Sequence, residues 1–71
     1  MSVLWQAPRN SIIEYKSETY EGVYFFQSID GMYGRALTAD DQKIYLRPLT
    51  EVRVIEEDSS FEQFQQKYKG Q

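Results

Sequence analysis

The sequence predicts a mainly β fold: a small five-stranded barrel with a short C-terminal α-helix. Three observations lead there. Residues 20–56 hold runs of β-branched and aromatic side chains alternating with polar ones, the period of a half-buried strand. Asp30-Gly31 stands between two such runs and signals a hairpin, because both residues tolerate the positive φ a tight turn needs. Gly22, inside the longest run, marks a bulge or sharp bend, and strong bending is what a small barrel requires.

Taken in order, residues 1–10 read as an N-terminal arm. Val3, Leu4 and Trp5 form a short apolar cluster ahead of Gln6-Ala7-Pro8-Arg9-Asn10, whose proline forbids a central strand. Trp5 is expected to close an end of the core, the alternative being an exposed anchor for a partner. The barrel spans residues 11–56. Its first strand carries Ile12, Ile13 and Tyr15, with Glu14 and Lys16 alternating outward, and Ser17-Glu18-Thr19 leads into the long strand. With Asp30-Gly31 as the turn, Ile29 pairs with Met32, and Val23, Phe25 and Gln27 share a side with Gly34, Ala36 and Thr38. The opposite side then holds Tyr24, Phe26 and Ser28 against Tyr33, Arg35 and Leu37.

A second reversal at Ala39-Asp40-Asp41-Gln42 decides which side the strand 43–47 joins. An odd-length loop pairs Ala36 with Leu46 and Thr38 with Ile44; an even one pairs Leu37 with Ile44 and swaps the sides. The odd loop is preferred because it turns Lys43, Tyr45 and Arg47 outward together and buries no charge. Pro48-Leu49-Thr50-Glu51 then stops the ladder with a helical turn. In the last strand, 52–56, Val52 and Val54 point inward, Arg53 points outward, and Ile55 breaks the alternation and covers an edge. Residues 59–69 read as a helix: Ser59 with Glu62 makes a capping box, Glu56-Glu57-Asp58 suits the positive end of the helix dipole, and Lys67 and Lys69 suit the other end. Phe61, Phe64 and Tyr68 fall on one stripe. So short a helix is marginal alone, so the stripe must dock, on the sheet or in a partner's groove.

This order of elements resembles the SH3-like and Sm-like small barrels over residues 11–56, at the level of layout. The resemblance implies that fold and leaves the function open. Locally, Tyr33-Gly34-Arg35-Ala36-Leu37 followed by Ile44-Tyr45-Leu46-Arg47-Pro48-Leu49 resembles the "YRAL … WVRPLE" pattern of a family of small uncharacterised bacterial proteins. The sequence departs from that pattern at Tyr45, where the pattern has tryptophan, and by the inserted Gly34. No activity comes with that resemblance.

The totals narrow the function. A chain of 71 residues has room for one domain, burying about 60% of its unfolded surface. A net charge of -3 argues against a dedicated nucleic-acid binder, whose affinity comes largely from Lys and Arg on phosphates. Without Cys or His there is no disulfide framework, thiol chemistry, ordinary zinc site or Ser-His-Asp relay, and a reducing cytoplasm is the expected setting. The first residues show neither a basic leader nor a long apolar run, so no signal peptide or membrane span is expected. Asn10-Ser11-Ile12 fails the glycosylation pattern.

The strongest candidate site is a contact surface of Tyr24, Tyr33, Arg35, Tyr45 and Arg47, with Phe26 beside it. Aromatic rings on a sheet beside arginines can hold another protein by flat apolar contact and cation-π attraction, or stack the bases of single-stranded RNA or DNA. The plain alternative is that six tyrosines and four phenylalanines must sit somewhere in so small a chain. Self-assembly through strand edges, as Sm-like rings show, is a third reading. The spacing of Gly31 and Gly34 matches a loop that clamps nucleic-acid backbones, but strands flank it, and a hairpin explains it better. Asp40-Asp41 has no further ligand at calcium-loop spacing. Neither a cofactor nor a catalytic residue is expected. The acidic group Glu51, Glu56, Glu57, Asp58 and Glu62, joined by Glu14, Glu18 and Glu21, serves helix capping and solubility or meets a basic protein surface.

Overall fold

One antiparallel sheet organises the computed structural model, which describes residues 2–16 and 21–69. Five strands carry it: β2 (Ser11–Lys16), β3 (Glu21–Asp30), β4 (Tyr33–Leu37), β5 (Lys43–Leu46) and β6 (Glu51–Glu56), in spatial order β6-β2-β3-β4-β5. A two-residue strand, β1 (Ser2–Val3), adds to the outer side of β6 and runs into a 3-10 turn, Leu4–Gln6. The helix α1 (Phe61–Tyr68) ends the fold. A mainly β chain with a short C-terminal helix is thus what forms. Among the described residues its sheet is not closed: β1 and β5 are its edges, where a closed barrel has none. The expected connection Ser17-Glu18-Thr19 lies outside the described residues.

The hairpin and one bulge set the faces. Asp30 pairs with Tyr33 and Ile29 with Gly34, so Gly31-Met32 is the turn, not Asp30-Gly31, and Gly31 takes φ 67. That slide is by an even step and leaves the alternation near the turn as expected. Farther back, Ser28 faces Arg35 but Phe26 faces Ala36, so Gln27 is an extra residue in the ladder. One extra residue turns every side chain beyond it to the other face. Tyr24 and Phe26 therefore go inward with Ala36, while Val23 and Phe25 cross to the side of Leu37. No bulge falls at Gly22, which pairs in unbroken register with Tyr15. Its missing side chain makes room for a ring instead: a Cβ on Gly22 lies 2.5 Å from the Tyr24 hydroxyl oxygen.

Each face has its own core. On one, Ile13, Tyr24, Phe26, Ala36 and Val52 pack with Leu4 and Ala7 from the N-terminal segment. Gly34 is part of this design, because a Cβ there collides with the side chain of Leu4. On the other face, Ile12, Phe25 and Leu37 lie under Phe64, with Phe61 and Tyr68 alongside. The helix stripe thus docks within the chain, with ring centroids 5.8 Å apart for Phe25 and Phe61 and 5.3 Å for Phe64 and Tyr68.

The remaining elements follow from local chemistry. Leu37 faces Lys43 and Ala36 faces Ile44, so the loop 38–42 has the odd parity expected, although Ala36 opposes Ile44 rather than Leu46. Thr38 fastens the loop, its amide donating to Gln42 O at 2.9 Å and its Oγ1 accepting from Gln42 N at 3.1 Å. In β6, Val52 is buried, Arg53 points out to Glu14 at 3.3 Å, and Ile55 is the residue skipped between the pairs Ile12–Glu56 and Ile13–Val54. The helix cap is Ser60 with Gln63, each donating a backbone amide to the other's side chain at 3.1 Å, one residue later than the Ser59–Glu62 frame. Ser59 is otherwise engaged: its amide donates to Asn10 O at 2.9 Å, while Asn10 N donates to Phe26 O at 2.9 Å. The segment before β2 is thereby tied to both the sheet and the helix entry.

Candidate interaction surface

Three of the five expected contact residues come together. Tyr33 and Arg35 project from β4 on the helix-bearing face, toward the hairpin end, and Tyr45 on β5 lies directly across from Arg35. The Tyr33 and Tyr45 rings meet edge to face at 6.5 Å. Arg35 Nη1 donates to Asp30 Oδ2 at 3.4 Å, a weak, half-exposed pair, and Arg35 Nε is buried without an acceptor. Ser28 and Tyr45 are the cross-strand neighbours of Arg35 on either side.

Arg47 joins them by another route. It follows β5 at the start of the turn 47–50, closed by Thr50 N donating to Arg47 O at 3.0 Å. With Met32, Tyr33, Pro48 and Leu49 it lines a cleft of about 430 Å³. Tyr24 does not join: at 3% exposure it sits in the core on the opposite face, with Phe26, because of the extra residue at Gln27. It is a core residue here, not a contact residue.

The surface also contains residues that the strand pattern does not flag. Met32 is 80% exposed and Leu49 73%, high values for large apolar side chains. Trp5, expected in the core, is exposed while Leu4 beside it is buried. Its amide donates to Pro48 O at 2.9 Å, and its side chain borders a hollow shared with Ala7, Arg9, Phe26, Ser28 and Ile29. Of the exposed large hydrophobic residues described, Ile55 alone stands away from this end of the sheet; the rest sit on the hairpin, on the turn 47–50, or next to them. A signal was present in the sequence: Met32 and Leu49 put apolar side chains at turn positions, where polar residues are the rule.

Charge follows the same geography. Arg9, Arg35 and Arg47 border this end with Asp30 as the acid among them, on a chain whose net charge is -3. Arg9 and Arg47 have no ion pair among the described residues. The acids gather elsewhere. Glu51 and Glu14 line a hollow with Lys16 and Arg53, Glu56 pairs with Lys67 at 3.7 Å, and Glu57, Asp58 and Glu62 are exposed around the helix entry. Glu18 lies outside the described residues. Asp40 and Asp41 are exposed in the loop 38–42, and Gly34 is buried under Leu4, out of reach of any ligand backbone.

No family model, no curated protein and no solved structure matches this chain. Among the described residues no helix is long and apolar enough to cross a membrane.

Proposed function

We propose that this chain is a small, non-enzymatic protein-binding module that works without a cofactor in the cytoplasm. Its contact surface is Tyr33, Arg35, Tyr45 and Arg47, enlarged by Met32 and Leu49. The observation that carries the reading is the cleft at the hairpin end, where strongly exposed apolar side chains surround a cation, Arg47, that has no ion pair among the described residues. Aromatic, methionine and arginine side chains are the types that anchor protein interfaces. Single-stranded nucleic acid is the weaker reading, since the acid excess elsewhere on the chain repels phosphate. The strand order β6-β2-β3-β4-β5, with the sharp bulge in β3, supports taking the layout as an open variant of the SH3-like or Sm-like small barrel.

Immobilised wild-type chain and the variants Tyr33→Ala and Arg47→Ala, passed through native lysate, test the binding role. The expected result is a protein retained by the wild type and lost from both variants, which keep the wild-type circular dichroism. Equal retention by all three, or unfolding of the variants, overturns the reading.

A further inference from the structure

The two edges of the sheet are not alike. β6 is covered at Glu51 and Val52 by β1, whereas β5 pairs with β4 alone. Among the described residues, none of the backbone hydrogen bonds outside the ladders involves Lys43, Ile44, Tyr45 or Leu46. Alternate residues of an antiparallel strand direct their N–H and C=O away from the partner strand. β5 therefore presents an open row of donors and acceptors, and the cleft of Met32, Tyr33 and Leu49 lies just past its end.

The side chains along that edge have a pattern. Lys43 and Tyr45 lie on one face with Arg35, and Arg47 follows just past the end of the strand, at the start of the turn 47–50. Ile44 and Leu46, on the other face, are half-buried against the core. A strand laid beside β5 therefore meets Lys43 and Tyr45 on one face, with the Arg47 cation just past the end of the strand, and apolar side chains on the other.

We propose that β5 takes up an extended segment of a partner protein as an added strand, and that this segment sets carboxylates opposite Lys43 and beside Arg47 on one face and β-branched residues against Ile44 and Leu46 on the other. The inference rests on the binding role above and names the chemistry of its partner. A second copy of the same edge is a poor fit. Antiparallel self-pairing centred on Tyr45 sets Lys43 of one chain against Arg47 of the other, and like charges directly opposite are destabilising.

The test uses the full chain and two labelled peptides, Glu-Val-Glu-Val-Glu-Val and Lys-Val-Lys-Val-Lys-Val, read by fluorescence anisotropy and by amide hydrogen exchange. The acidic peptide should bind and slow exchange at alternate amides of β5. The double variant Lys43→Glu, Arg47→Glu should weaken it by about tenfold or more and favour the basic peptide. Equal affinity for the two peptides overturns the proposal, as does binding of the acidic peptide that leaves the β5 amides unprotected. Protection of those amides by a single-stranded oligonucleotide, or by dimerisation without peptide, also overturns it. If neither peptide binds while the lysate partner is still captured, the strand-addition mode falls and the binding role remains.

Discussion

At the scale of single residues, the fold depends on a space left empty. A Cβ at Gly34 meets the side chain of Leu4, which is fully buried and has nowhere to retreat. Gly34→Ala should therefore lose about 1–3 kcal/mol, the ordinary range for overpacking a filled core. Shortening the obstacle should restore part of it: in urea denaturation, the pair Leu4→Val with Gly34→Ala should be more stable than the sum of the single losses allows. Strictly additive losses would mean that Leu4 is not what the empty space accommodates. The same contact explains why an apolar Leu4 goes in and its neighbour Trp5 stays out. Gly34 offers a socket for one side chain, and the amide of Trp5 is committed to Pro48 O on the outer side.

At the scale of elements, the helix entry offers a clean choice between two frames. Ser59 with Glu62 and Ser60 with Gln63 both satisfy the capping-box spacing, so the sequence alone does not separate them. Position is decided by a tertiary bond, Ser59 N to Asn10 O, which holds Ser59 outside the helix and leaves its Oγ buried without a partner. Ser60→Ala should cost about 1 kcal/mol, while Ser59→Ala should be neutral or slightly stabilising because it removes an unsatisfied hydroxyl. Thermal denaturation of the two variants ranks them, and the opposite ranking would restore the earlier frame. The bulge at Gln27 was hidden for a related reason. It falls on a residue with no turn or glycine character, so nothing in the composition marks it, and it alone moved Tyr24 from surface to core. Tyr33, Arg35 and Tyr45 were legible because β4 and β5 pair without an irregularity, and their alternation survives intact. The helix stripe was legible from the spacing of Phe61, Phe64 and Tyr68, but not that Phe25 would cover it, because Phe25 reaches that face only through the bulge.

At the scale of the whole molecule, two faces of the sheet are spent on packing, and the apolar surplus collects at one end. The N-terminal segment fills one face and α1 the other, yet neither reaches Met32 or Leu49, which stand in the two turns at the hairpin end. A chain this small has little apolar surface to spare for solvent, so side chains left so exposed contribute little to the fold. That separates stability from function in a measurable way. The double variant Met32→Ser, Leu49→Ser should change unfolding free energy by no more than about 0.5 kcal/mol, as surface substitutions away from caps and cores do. It should at the same time lose the retained partner in the lysate experiment, because the cleft loses two of its apolar walls. A loss of several kcal/mol would make Met32 and Leu49 part of the core of a tighter state, and the open end of the sheet would then be a seam the chain closes for itself.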